Sequence, residues 1–381
     1  MPKLSEIFTL QMGKTPARAK NEYWNNGDND WVSISDLSTY DKYVGETKET
    51  ISDLAVMESG IKPAPADTVI MSFKLSLGKT AITIKPTYTN EAIMAFIPNG
   101  NYPVHTSYFY HFFVGYDWSN GTNRAVMGST LNKATLSEIE ITVPSIMEQI
   151  EIAKCLDKID ALISLRKQQL SKLDELVKSR FIEMFGDPVK NTMRWPSKPL
   201  NDVCDGIGDG LHGTPEYDDN GNYPFINGNN LIDGKIVITS ATKTVSEETY
   251  AKHRIDISPN AILISINGTL GKLAFYNGDQ VMLGKSACYC NLKENINKVF
   301  VYGVMKSDAF AEFLDNSSTK STIKNVGLKA MREYKLILPP SELQEQFASF
   351  VEQTDKSKFE IQKSLEKLET LKKALMQKYF G

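Results

Sequence analysis

A chain of 381 residues, 41% of them hydrophobic, is long enough for two or three domains that each bury a core. Its formal net charge of −3 and pI near 5.9 exclude the uniformly basic composition of a nucleic-acid coat protein, so contact with nucleic acid would need local basic patches or a basic partner. Cys155, Cys204, Cys288 and Cys290 lack the paired spacing of a zinc site, the N-terminus lacks the apolar run of a signal peptide, and no stretch is apolar enough to span a bilayer, which points to a reduced, cytoplasmic, soluble protein.

Residues 1–143 contain short β-prone runs, such as Trp31–Ile34, Thr68–Met71 and Ala81–Ile84, broken by Gly, Asn, Asp and Pro. This pattern predicts a mixed α/β domain around a twisted sheet with large polar loops. Two of these loops place basic and hydroxyl side chains beside glycine: Gly13-Lys14-Thr15, and the run from Ser72 to Lys79 that includes Lys74, Ser76 and Gly78. Such loops can approach phosphate closely while amide and hydroxyl groups reach base edges.

Residues 144–186 change period. Positions spaced alternately three and four apart read Ile152, Leu156, Ile159, Ile163, Arg166, Leu170, Leu173, Val177, Arg180 and Met184, a heptad seam. Pro144 precedes a capping box, Ser145-x-x-Glu148, and Gly186 is placed to close the helix at its C-terminus. Residues 187–339 return to the α/β pattern, with Lys235–Thr239 and Ala261–Ser265 as β-prone runs. Their polar loops are His212-Gly213-Thr214 and the run from Ser265 to Lys272 that includes Asn267, Thr269 and Gly271. Residues 340–381 then give a second, looser seam: Phe347, Val351, Thr354, Lys358, Ile361, Leu365, Leu368, Lys372, Leu375 and Tyr379. Pro340 precedes a second capping box, Ser341-x-x-Gln344. One narrow apolar stripe on a helix of about 55 to 60 Å cannot remain in water, so the two helices should pair as an intramolecular coiled coil, antiparallel if the repeat reverses direction, with packing of each stripe on its own domain or dimerisation through the seam as the alternatives.

The chain repeats itself. Leu170, Lys172, Leu173, Leu176, Lys178, Phe185 and Gly186 recur at an offset of 195 (Leu170 to Leu365) as Leu365, Lys367, Leu368, Leu371, Lys373, Phe380 and Gly381. Just ahead of them, the run from Ser145 to Gln149 is echoed by the run from Ser341 to Gln346. The fronts echo more faintly: Thr15-Pro16 with Thr214-Pro215, Trp31-Val32 with Phe225-Ile226, Asp36-Leu37 with Asn230-Leu231. The strongest echo joins the run Asp67–Ser72 and Leu77-Gly78-Lys79 to Asn260–Ser265 and Leu270-Gly271-Lys272, at an offset of 193 (Gly78 to Gly271). Recurrence in both fronts favours a functional reading of the Ser-to-Lys loops over a solvated turn.

No catalytic set assembles. His105, His111, His212 and His253 are scattered, and the spacing of His105 and His111 fits neither a helical metal pair nor a metal site on a short strand with a third ligand nearby, so both read as ordinary strand or loop residues. Nucleotide-binding glycine patterns and the Gly-x-Ser-x-Gly elbow are absent, and Gly78-Lys79 lacks the spacing of a P-loop.

A variable α/β front, a Pro-x-x-x-Glu-Gln helix start at Pro144–Gln149, a long heptad helix, and then the same unit again resembles the specificity subunit of type I restriction–modification enzymes over essentially the whole chain. The resemblance implies an α/β fold of two target-recognition domains with twisted sheets, at 1–143 and 187–339, separated by two long antiparallel coiled-coil helices at 144–186 and 340–381, with a pseudo-twofold internal repeat. It implies a non-catalytic reader of double-stranded DNA in which each recognition domain takes one half of a bipartite target. The helices would set the spacer and dock two methyltransferase subunits, and restriction/translocase subunits would join them. No cofactor is expected on this chain, and S-adenosylmethionine belongs on the partner methyltransferase. The candidate DNA contacts are Lys14, Ser72, Lys74, Ser76, Lys79, His212, Thr214, Ser265, Asn267, Thr269 and Lys272. Two other readings are a stand-alone DNA-modifying or DNA-cleaving enzyme, which would act on DNA without partners, and a coiled-coil protein scaffold, which would show no salt-sensitive DNA binding.

Overall fold

A run in which every residue is apolar or small suits a strand covered on both faces. Val69–Ser72 and Ala261–Ser265 are such strands, buried at every position, and each is an inner strand of a four-stranded antiparallel sheet. The computed structural model describes residues 1–74, 76–118, 123–125, 128–188 and 190–380; Gly381, the last member of the repeat, lies outside them.

The first sheet runs in the order Phe8–Met12, Ile93–Pro98, Val69–Ser72, Thr80–Ile82. The second has the same order: Cys204–Asp209, Ala287–Leu292, Ala261–Ser265, Leu273–Tyr276. Each is accompanied by a three-stranded sheet, Glu49–Ile51 with Trp24–Val32 and Tyr88–Thr89 in one case, Thr244–Val245 with Tyr223–Ile226 and Met282–Leu283 in the other. Trp31-Val32 and Phe225-Ile226 therefore occupy the same parallel pairing in both copies. The Asp36 and Asn230 echo is also structural: Ser33 donates its backbone N–H to Asp36 Oδ2 at 3.0 Å, and Asn227 donates its own to Asn230 Oδ1 at 3.0 Å.

The seams fold as two helices of 40 residues, Ile146–Phe185 and Ser341–Phe380, each about 60 Å long. All predicted seam positions, polar ones included, are buried or half-buried. The helices are not separate domains, however. Contacts divide the chain into one unit of residues 1–167 with 363–381 and another of 168–362, so each helix gives its start to one unit and its tail to the other. Within the first unit Asp160 meets Lys372 at 2.5 Å and Lys167 meets Glu369 at 3.7 Å. Within the second, Asp174 meets Lys358 at 2.6 Å and the Phe181 and Phe347 rings lie 5.4 Å apart. Rising numbers on one helix face falling numbers on the other in both units, so the helices pair antiparallel, and Lys358 and Lys372 enter the seam by pairing with carboxylates across it.

Each unit packs the phenylalanine that ends a helix tail. In the second unit Phe185 is fully buried against Phe300 and Phe347; in the first, Phe380 packs edge-on against Tyr108 and Phe112.

The first capping box forms as expected: Glu148 N–H donates to Ser145 Oγ at 3.3 Å, and Ser145 N–H donates to Glu148 Oε2 at 2.9 Å. The second does not, because the helix already begins at Ser341 and Gln344 is used elsewhere. Gln344 Oε1 accepts Asn297 N–H at 3.0 Å and its amide donates to the Pro339 carbonyl at 2.9 Å. Gln149 does the same in the first unit, accepting His105 N–H at 2.9 Å and donating to the Pro144 and Pro103 carbonyls, both at 3.0 Å. Pro339 and Gln344, not Pro340 and Gln346, are thus the partners of Pro144 and Gln149. At the other end of the first helix Gly186 adopts φ +74° with its N–H on the Ile182 carbonyl, the expected C-terminal closure.

Candidate nucleic-acid interface

The loop from Ser72 to Lys79 leaves the buried strand Val69–Ser72, and the loop from Ser265 to Lys272 leaves its counterpart. Both close the same way. Ser72 Oγ donates to the Ser76 carbonyl and accepts Lys79 N–H at 3.1 Å; Ser265 Oγ donates to the Thr269 carbonyl at 2.6 Å and accepts Lys272 N–H at 2.8 Å. Gly78 and Gly271 donate back to the Ser72 and Ser265 carbonyls with φ of +78° and +77°, a left-handed conformation that glycine adopts without penalty. Ser72 and Ser265 are fully buried. They are therefore the knots of the loops and cannot face DNA, which corrects their assignment: the recurrence of Ser, Gly and Lys reflects one backbone solution used twice.

The other candidates divide by accessibility. Lys14, Ser76, Lys79, His212, Thr214 and Thr269 are exposed, while Lys74, Asn267 and Lys272 are half-buried. Lys14 turns its amine onto the Ser59 carbonyl, and His212 Nε2 lies 2.8 Å from Asp209 Oδ2. Lys74 lies over the Phe73 ring and Lys272 reaches Asn229 Oδ1 at 3.5 Å. Asn267 is committed to Asn325, donating its amide to Asn325 Oδ1 at 3.2 Å, so its first role is to join two loops.

His105, expected on a strand or loop, is the extended residue just ahead of the helix Thr106–Gly115, whereas His111, expected likewise, lies inside that helix, whose aromatic residues bury against the first unit's core. His111 is fully buried with Nε2 2.7 Å from Asp157 Oδ1 on the long helix and Nδ1 4.0 Å from Asp160 Oδ2. Lys42 Nζ lies 2.6 Å from the same Asp157 oxygen, and Ser107 Oγ donates to Asp157 Oδ2 at 2.9 Å. Burial pushes the His111 imidazolium down, outweighing the pull of Asp157. Burial alone would raise Asp157, but the hydrogen bonds from Lys42, His111 and Ser107 together hold it below its ordinary value. The joint between recognition domain and helix is thus polar in the first unit. In the second unit the position matching His111 is Gly303 of the helix Lys298–Met305, which lies against Phe181, an apolar contact.

This cluster predicts a pH response. Unfolded, His111 titrates near 6.5; folded, it titrates lower, so between the two values the unfolded chain binds more protons. Its contribution is complete above 6.5 and is lost as pH falls below that value, whereas that of Asp157, ordinarily near 3.8, is lost only at more acid pH. Urea melts of the first unit at pH 7.5 and about 5.5 should show this loss, and His111→Gln should remove it. An unchanged pH response in His111→Gln would assign the effect to another group.

Among the described residues no group of His, Cys, Asp and Glu could hold a metal ion, and no helix is long and apolar enough to cross a membrane. All four cysteines are free, three of them buried.

A family model described as the type I restriction modification DNA specificity domain matches residues 1–175 and again 193–373. The type I restriction enzyme MjaIX specificity subunit of Methanocaldococcus jannaschii is 25% identical over 99% of this chain and 91% of its own length. The EcoR124I/EcoR124II specificity subunit of Escherichia coli is 31% identical over 47% of this chain and 45% of its own. Among solved structures, the S subunit of the type I restriction–modification system from M. genitalium covers 100% of this chain and 95% of its own with a TM-score of 0.60 at 14% identity. A chain from a structure addressing complex assembly and conformational transition of the type I system covers 99% and 96% with a TM-score of 0.62 at 16% identity. These likenesses carry the fold, and the two family matches fall on the two copies of the sheet, loop and helix arrangement described above. The chain belongs to the type I restriction–modification DNA specificity family, as a non-catalytic DNA-recognition subunit that carries the family's domain twice.

Proposed function

We propose that each unit reads one half of a bipartite duplex-DNA target in the cytoplasm, and that the long helices fix the spacing of the half-sites and dock two methyltransferase subunits. Those partners would carry S-adenosylmethionine and methylate adenine, and restriction/translocase subunits would join them for cleavage. The observation that carries this reading is the duplication itself, in sequence, in sheet order and in family match, with loops of the same closure in each copy. Of the candidate contacts, Ser76, Lys79, Thr214 and Thr269 are exposed and suit phosphate contacts that set register without reading sequence; Lys14, Lys74, His212 and Lys272 would have to leave the partners named above.

The docking proposal rests on a repeated surface. Leu176 and its repeat partner Leu371 are each 48% exposed on the long helices, one in each unit. Two equal apolar positions suit two equal partners. Leu176→Lys with Leu371→Lys should change stability by less than about 0.5 kcal/mol per site, as for surface positions generally, while co-purification with a type I methyltransferase subunit should fall at least about tenfold, a loss of about 1.4 kcal/mol. Retained assembly in a folded double variant would move the docking surface elsewhere.

The function is tested by expressing the chain with a type I methyltransferase subunit from the same genome in a methylation-free host and sequencing modified adenines. One motif of two short half-sites with a fixed gap is the expected result. Methylation by this chain alone, or a motif without two halves, would contradict the proposal.

A further inference from the structure

Resting on the DNA-reading function proposed above, we infer that sequence discrimination in the second unit is made by the segment 318–325, docked beside the Ser265–Lys272 loop, rather than by that loop.

Two units that read different half-sites should differ where they read and agree where they are scaffolded. The Ser-closed loops share their closing bonds, from the serine hydroxyl, the glycine N–H and the lysine N–H. The segments packed against them do not. In the first unit Leu131 N–H donates to the Phe73 carbonyl at 3.1 Å, and in the second Val326 N–H donates to the Ile266 carbonyl at 2.9 Å, so the chain stretches leading into Leu131 and Val326 occupy equivalent places. The first stretch contains a two-stranded hairpin, Asn123–Ala125 with Gly128–Thr130. The second is a loop closed by the bridges Ser318–Val326 and Asn267–Asn325, with a sequence that shares no motif with the first.

The second loop is ordered from both sides. Gly268 N–H donates to the Lys324 carbonyl at 2.9 Å, Thr319 N–H donates to the Asn325 carbonyl at 3.0 Å, and Asn325 N–H donates to Thr319 Oγ1 at 3.1 Å. Residues 319–324 are nevertheless all exposed and include two lysines, three hydroxyl side chains and no carboxylate. Lys324 is held by Asp315, whereas Lys320 forms no ion pair among the described residues. Ile323 stands 63% exposed in this polar run. An apolar side chain held in water on a pinned loop that carries cations and hydroxyls suits contact with a thymine methyl or a base step, with Lys320 on phosphate.

The test uses the chain assembled with its methyltransferase subunit and a pool of duplexes with randomised sequence, from which bound molecules are selected and sequenced. Wild type is expected to enrich a bipartite motif. Ile323→Ala and Thr322→Ala should each relax one half-site by about 5- to 100-fold in preference at one or two positions, leaving the other half-site unchanged, and Lys320→Ala should weaken binding to all duplexes alike and lower the salt slope by about 1. Replacing residues 319–324 with Gly-Ser repeats should erase one half-site, and circular dichroism with hydrogen exchange at the strand Ala261–Ser265 checks that the unit remains folded. Both half-sites surviving intact in the point variants and in the folded replacement would overturn this inference while leaving the DNA-reading function standing. A wild-type assembly that enriches no motif would overturn the function and this inference with it.

Discussion

Phe185→Ala is expected to destabilise the second unit by about 3 to 5 kcal/mol, the range for removing a fully buried phenylalanine, and to leave the first unit near its original stability. Phe185 ends the helix that begins behind the first recognition domain, yet its ring is buried with Phe181, Phe300 and Phe347 in the core of the second. Its repeat partner Phe380 ends the other helix and packs in the first unit, where it is only half-buried. Phe380→Ala should therefore weaken the first unit, and by less. Hydrogen exchange resolves the two cases: Phe185→Ala should raise exchange in Cys204–Asp209 and Ala287–Leu292, and Phe380→Ala in Phe8–Met12 and Ile93–Pro98. Loosening of the first sheet by Phe185→Ala would contradict the exchange of helix tails. The same exchange means that each recognition domain needs residues from both long helices, so cutting at Gly186 should yield no stable second unit.

Lengthening the coil is expected to lengthen the recognised gap. Inserting one heptad after Leu170 and another after Leu365 adds about 10 Å to each helix at 1.5 Å per residue, or about 3 base pairs of B-DNA at 3.4 Å per pair. Leu170 is half-buried and Leu365 buried, and the heptad returns every later seam residue to its own face, so the coil should still form. A four-residue insertion is a stutter that turns the later seam away from its partner, and this variant should lose stability instead. Methylome sequencing reads the outcome directly: unchanged half-sites with a longer gap are expected from the heptad variant. The original gap, methylated by a heptad variant that folds and assembles, would show that the helices do not set the spacing.

Periodicity and repetition are local properties, and they were legible. The alternating three-and-four spacing from Ile152 and from Phe347 identified seam positions that are all buried or half-buried, because a helix in this register can hide only one stripe. The recurrence of Asp67–Lys79 as Asn260–Lys272 identified two copies of one sheet and loop, because the same buried strand needs the same turn to leave it. Hydrogen-bond partners that only the folded backbone brings together were not legible. Ser72 and Ser265 look like donors for a ligand in a one-dimensional reading, and only the folded loop shows each hydroxyl engaged by its own backbone. Gln344 looks like a capping residue until Asn297 is brought to it, and His111 looks like part of a strand until Asp157 supplies a partner for its ring on a neighbouring helix. The division of each helix between two units has the same origin. A heptad pattern specifies that a stripe must be covered and in which register, but which core receives the phenylalanine at the helix end depends on the direction of its partner, and that direction is a property of the closed chain.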